Sequence, residues 1–154
     1  MRLYLVQHGE AVSKAIDPDR PLSERGRGDV ERVAGLLERA GLQVEQTIHS
    51  GKTRARQTAE ILAAVLSPDR SPSARSGLDP KDPVTPVMEQ IEDFSDDTML
   101  VGHLPFMARL ATLLVTEDEE RTVVAFQPGS VVCLEKDESD GWRMLWMVRP
   151  ELLG

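Results

Sequence analysis

The most constraining feature of this sequence is a pair of short apolar runs, each of which stops abruptly beside a histidine and a glycine. Residues 2–6 (Arg-Leu-Tyr-Leu-Val) run into Gln7-His8-Gly9-Glu10, and residues 98–101 (Thr-Met-Leu-Val) run into Gly102-His103. Short runs without polar alternation suit strands covered on both faces, the condition of a parallel sheet held between helices. The sequence between and around them supplies those helices. Ser23 is an N-cap for a helix reaching about Ala40, in which Val30, Val33, Ala34, Leu37 and Ala40 recur at three- and four-residue steps. Gly41 suits its C-terminus. A weaker strand is expected at 44–49, then a helix over 53–66 with Ala55, Ala59, Leu62 and Leu66 on one stripe. After the run at 98–101 a further helix carries Leu104, Met107, Ala108, Ala111, Leu114 and Val115, with Pro105 in its first turn. Residues 131–135 and 142–148 read as a hairpin with Asp140-Gly141 as its turn signal.

This alternation predicts an α/β three-layer sandwich: a mostly parallel central sheet flanked by helices, with a C-terminal antiparallel hairpin at the edge. Residues 67–86 hold five of the ten prolines and read as a loop, followed by a short helix at 87–93. With 154 residues, no internal repeat and no linker, one domain over 1–154 is expected. Eighteen basic against twenty-six acidic residues give a net charge of −8, which argues against a nucleic-acid or anionic-membrane partner. No run approaches the roughly 20 apolar residues that span a bilayer. The lone Cys133 forms neither an internal disulfide nor a cysteine-based zinc site, so a reducing compartment is the default. The expectation is a soluble, cytoplasmic protein.

Only three histidines exist, His8, His49 and His103. Two sit beside a glycine at the carboxyl end of an expected buried strand, where open α/β sheets bind ligands. Gly9 and Gly102 let the backbone turn sharply and approach a ligand closely. Two imidazoles from separate strands are therefore expected to converge on one point, while His49 reads as structural. Lys52, Arg54 and Arg56 open the helix at 53, where positive charge opposes the helix dipole unless an anion binds. Lys52 and Arg56 read as solvated surface charge. Arg20, in the Asp17-Pro18-Asp19-Arg20-Pro21 loop, is a further anion contact. Gly51-Lys52-Thr53 imitates the end of a P-loop but lacks its first glycine, since Gln46 stands there. A zinc site from His8, Glu10 and His103 lacks supporting spacing. The acidic run 117–120 reads as a solvated helix end or loop.

Four segments together resemble the histidine phosphatase superfamily, in particular its small SixA-type phosphohistidine phosphatases with a phosphoglycerate mutase-like fold. They are Gln7-His8-Gly9-Glu10, Arg20-Pro21-Leu22-Ser23-Glu24-Arg25-Gly26, Ser50 through Thr58 with Arg54-Ala55-Arg56-Gln57-Thr58, and Val101-Gly102-His103-Leu104-Pro105. The resemblance implies that His8 is the nucleophile, forming a covalent phosphohistidine that water hydrolyses to release inorganic phosphate. Arg54 would hold the phosphoryl oxygens and His103 would donate to them, with Gln7, Gly9 and Arg20 as further phosphate contacts. It implies no metal or organic cofactor. The implied partner is a phosphohistidine-bearing phosphotransfer or carrier protein, or else a small phosphorylated substrate.

The chain departs from the family at Gln7, where the family carries arginine. Loss of one charged donor to a buried phosphoryl group costs about 2–4 kcal/mol of transition-state stabilisation, or two to three decades in rate. Arg20 is the expected compensator; the alternative is a catalytically weak module that binds phosphate or phosphoproteins. For a general acid to an alkoxide leaving group the proline-rich stretch offers Asp69, Asp79 and Asp82; Asp79 is the best placed by the resemblance, and it also reads as a turn aspartate before Pro80. An imidazole leaves more readily, which favours a phosphohistidine substrate over a small phosphomonoester.

Overall fold

In the computed structural model, residues 1–118 and 120–154 are described. Strand β1 (Arg2–Gln7) leads through a long loop to helix α1 (Glu24–Arg39), then β2 (Gln46–His49) and α2 (Thr53–Leu66). After them come β3 (Ser73–Ala74), α3 (Thr85–Glu92), β4 (Thr98–Gly102) and α4 (Phe106–Thr116). The hairpin β5 (Val131–Asp137) and β6 (Gly141–Val148) and a short 3-10 turn (Pro150–Leu153) complete the chain. The sheet order is β3-β2-β4-β1-β5-β6. Strands β1 to β4 pair in parallel, and β5 and β6 join antiparallel at one side, which is the expected sandwich with its edge hairpin.

The apolar runs are continuous because both faces of the central strands are covered. Tyr4 and Val6 of β1 pack with Val30, Val33 and Leu37 of α1 and Ala55, Ala59 and Leu62 of α2. Leu3 and Leu5 of the same strand pack with Val87 and Ile91 of α3 and Phe106, Leu110 and Leu114 of α4. Alternate residues of one strand thus serve two separate cores, and a one-residue slip would exchange them.

Local signals set most boundaries. Ser23 caps α1, its side chain accepting from the Gly26 N–H. Helix α2 has the expected bounds. In the hairpin turn, Asp137 accepts from the Ser139 and Asp140 N–H groups, and Gly141 has φ +82°. Three expectations shift. Pro105 stands at the N-cap of α4 rather than inside its first turn, so Leu104 precedes the helix and is partly exposed. The proline-rich loop contains the two-residue β3, too short to leave a pattern, and it buries Leu78. The short helix there begins at Thr85, two residues before 87. Glu119 of the acidic run lies outside the described residues; Glu117 and Asp118 are exposed beyond α4. Cys133 is buried within β5.

Gly26 lies against the loop that follows β1. A methyl group there would collide with the Glu10 carbonyl oxygen and backbone. Gly26→Ala is therefore expected to destabilise the protein by at least about 1–3 kcal/mol, since backbone rather than a flexible side chain must yield. Urea unfolding would measure it, and an unchanged midpoint would show that this loop is free to move.

Candidate active site

Parallel strands β1 and β4 run in register from Leu3 opposite Thr98 to Gln7 opposite Gly102, so they end together. The His8 N–H donates to the Gly102 carbonyl (2.9 Å), carrying the pairing one step beyond the strand. His8 and His103 consequently face each other, with ring centroids 5.0 Å apart and planes tilted by 55°. The convergence expected from the two histidine–glycine strand ends is present.

The His8 tautomer follows from its neighbours. Nδ1 lies 2.7 Å from the Gly9 carbonyl oxygen, which can only accept, so Nδ1 carries the proton. Nε2 receives the Arg54 Nε–H at 3.3 Å, and a guanidinium can only donate, so Nε2 presents its lone pair. Burial is the main force pulling the His8 pKa down to about 4; Arg54 and Arg20 add to it and the Gly9 carbonyl opposes it. Burial also lowers His103, to about 3, assisted by His8, Arg54, Lys52 and Arg20. Both rings are neutral near pH 7. His103 is fully buried; its Nε2 shares a 2.6 Å hydrogen bond with Ser50 Oγ, and its Nδ1 has no partner.

Helix α2 delivers the basic side of the site. Its N-terminus has no side-chain cap and no acidic residue in the first turn, and Arg54 is its second residue. Four residues on, Thr58 donates to the Arg54 carbonyl (2.8 Å) and accepts the Gly9 N–H (3.0 Å), tying the histidine loop to the helix. Gln57 accepts the Leu22 N–H (2.7 Å) and holds the loop that carries Arg20. Arg20 itself is in the left-handed region, at φ +48°, with its Nε anchored on the Val12 carbonyl (3.1 Å). A cleft of about 690 Å³ opens here, lined among others by Lys14, Arg20, Lys52, Arg54, Asp79 and Lys81. Burial and the Arg20 charge lower the Arg54 pKa, with Asp79 opposing them. These cations repel one another across the cleft, and a bound anion would relieve that repulsion.

The other expected residues fall as follows. Gln7 is buried at the end of β1, with its Oε1 unpartnered. Asp79 is half exposed at the cleft, 3.9 Å from Lys52 Nζ, and its N–H donates to Asp82. Lys52 is thus a cleft residue and not simple surface charge, because α2 begins at the cleft floor; Arg56 pairs outward with Glu60. His49 is buried and accepts the Gly51 N–H, a structural role. Among the described residues, no group of three or more His, Cys, Asp or Glu side chains is placed to hold a metal ion. Ser50, Gln57 and Thr58 carry roles that sequence reasoning did not assign. Ser50 had a visible signal: Ser50-Gly51 ends β2 in the same pattern by which His8-Gly9 ends β1.

Two parallel strands thus end in two neutral imidazoles, with Arg54 on the lone pair of one and lining a cleft rich in cations. Residues 3–79 match the family model of the histidine phosphatase superfamily (branch 1), and the chain belongs to that superfamily. An uncharacterized protein of Picosynechococcus is 38% identical over 119 residues, covering 72% of this chain and 71% of that protein. The phosphohistidine phosphatase SixA of Escherichia coli is 24% identical over 155 residues, covering 97% and 94%. The fold is that of the protein histidine phosphatase SixA complexed with tungstate (TM-score 0.87, 24% identity, 100% of both chains). Membership and fold together support a phosphatase.

Because both folded-state histidine values lie below the ordinary 6.5, the unfolded chain binds more protons between about pH 4 and 6.5. Stability should therefore fall as pH is lowered through that window. His103→Asn should reduce the difference between urea midpoints at about pH 7 and pH 5. NMR of the imidazoles should show neither His8 nor His103 titrating near pH 6.5; a normal titration of either ring would overturn the neutral assignment.

Proposed function

We propose that residues 1–154 form one cytoplasmic histidine phosphatase domain that removes phosphate from phosphohistidine on a protein. The observation that carries this reading is His8, whose two nitrogens are each committed: Nδ1–H to the Gly9 carbonyl, Nε2 bare of a proton and beside Arg54. Nε2 attacks phosphorus in line, the bond from phosphorus to the substrate imidazole nitrogen breaks, and that imidazole leaves neutral, its other ring nitrogen keeping the proton it already carries. Water then attacks the phospho-His8 phosphorus and releases inorganic phosphate, restoring the Nε2 lone pair. Arg54 moves its hydrogen bond from Nε2 to the phosphoryl oxygens as the group arrives, and Arg20 adds charge from across the cleft. His103 donates to the same oxygens once its bond to Ser50 is exchanged. That the similarly folded SixA is complexed with tungstate, an oxyanion, supports an anionic ligand.

Two features favour phosphohistidine over an alkyl phosphate. Asp79, the best-placed candidate acid, stands as the ion-pair partner of Lys52. An imidazole leaving group has less need of such an acid than an alkoxide. Gln7 brings hydrogen-bonding capacity without charge, and Arg20 is the residue that offsets the lost arginine.

Phosphate release from a phosphohistidine-bearing protein should vanish in His8→Ala and fall by about 10²–10³ in Arg54→Ala. Gln7→Arg should raise turnover. Anion binding without any release in the wild type would assign a binding module instead, and strong alkyl-phosphate cleavage abolished by Asp79→Asn would assign a phosphomonoesterase.

A further inference from the structure

Around the phosphate site the structure holds a second layer of residues that the chemistry above does not use. The segment between β1 and α1 is a closed loop: Ala11 bridges to Leu22, and the Val12 N–H donates to the Pro21 carbonyl (2.9 Å). Inside this base the chain is folded by turns, the Ile16 and Asp17 N–H groups both donating to the Ser13 carbonyl and Arg20 N–H to Asp17. The loop is therefore a fixed projection, and it lines the cleft through Lys14, Pro18, Asp19 and Arg20. At its tip Ile16 is 76% exposed, the largest value among the exposed large apolar side chains. Leu104, next to His103, is 37% exposed. A lone exposed apolar residue is ordinary; this one stands on a hydrogen-bonded loop between Lys14 and Pro18, both of which line the cleft.

Charge gives the surface its preference. The cleft lining holds five cations (Lys14, Arg20, Lys52, Arg54, Lys81) and three carboxylates (Asp19, Asp79, Asp82). The chain as a whole has 18 cations and 26 carboxylates, so an even distribution would put only about two cations beside three carboxylates. The carboxylates are partly occupied, Asp79 by Lys52 and Asp82 by the Asp79 N–H. Arg54 and Arg20 serve the phosphoryl group. Lys14 and Lys81 remain; among the described residues neither makes a hydrogen bond or ion pair, and they flank the cleft from two different loops.

The geometry points to a docking collar formed by the 11–22 loop and the 79–82 turn, which accepts a protein surface with carboxylates and an apolar side chain flanking the phosphohistidine. This deepens the phosphohistidine reading and rests on it for the reactive group. Lys14 and Lys81 would pair with carboxylates on either side of the phosphorylated residue, steering association, while Ile16 would cover an apolar side chain. The occupant is an acidic protein face, and a small phosphorylated metabolite would leave the collar unused.

The test compares two phosphohistidine peptides of equal length, one flanked by Glu and Leu, the other by Lys and Ser, with phosphoramidate as the small substrate. The acidic-apolar peptide should show a kcat/KM about tenfold higher at low salt, and the gap should narrow to the several-fold apolar part in about 0.5 M salt and in the double variant K14E/K81E. Ile16→Ser should lower kcat/KM for the acidic-apolar peptide several-fold and leave phosphoramidate hydrolysis unchanged. Equal kcat/KM for the two peptides in the wild type, or a gap that K14E/K81E leaves undiminished, would overturn the collar. Calorimetric binding of non-hydrolysable phosphonate versions of both peptides to His8→Ala reads the same preference without turnover. If no phosphohistidine compound is hydrolysed, the functional reading fails, and this binding ranking still decides for or against the collar.

Discussion

The parallel pairing of β1 with β4 is the constraint on which the rest of the site depends. Its register ends both strands at one level, and the hydrogen bond from the His8 N–H to the Gly102 carbonyl extends it to the first residue outside the sheet. Side chains on the strands are fully used, since alternate residues fill the cores on either side. Only where the strands stop can side chains be spared for chemistry, and there the two imidazoles meet. Loss of this register would separate His8 from His103 and also expose the apolar strand residues, so the site and the fold share one stabilising interaction.

The site is then conditioned by what surrounds it. Burial keeps both rings neutral, and the positive side chains reinforce that state, which leaves His8 with a lone pair at Nε2. Arg20 and Arg54 disfavour one another's charge at the cleft. Arg20 is held in a left-handed backbone conformation, and α2 starts with basic residues and no cap. Each of these features runs against stability in isolation. The Nδ1–H to Gly9 carbonyl bond and the Thr58 bridge fix the His8 ring and its loop, leaving Nε2 as the nitrogen without a proton.

Much of this was legible in the chain, and the exceptions have physical causes. The apolar runs, the Ser23 cap and the 53–66 helix are set by short-range sterics and hydrogen bonding, and they appear as read. Strand β3 is two residues long, below the length at which periodicity exists. Pro105 suits either a cap or a first turn by its fixed φ, and packing of Phe106 and Met107 decides the helix start. Lys52 looked like solvated charge because nothing in its neighbours reveals that Asp79, far along the chain, lies beside it. Ser50 could have been found by applying the strand-end rule a third time; Gln57 left no such mark, since its partner is the Leu22 backbone.

By itself the sequence determined the elements, the layered α/β plan and the placing of His8 and His103 at strand ends and of Arg54 at a helix start. Those follow from periodicity, capping and residue type, all local properties. The tertiary structure alone decided that His8 exposes Nε2 rather than Nδ1, that Ser50 engages His103, and that cations of an acidic chain collect around one cleft. Such properties depend on distances between segments dozens of residues apart and on the water excluded between them, and neither quantity exists until the sheet has closed.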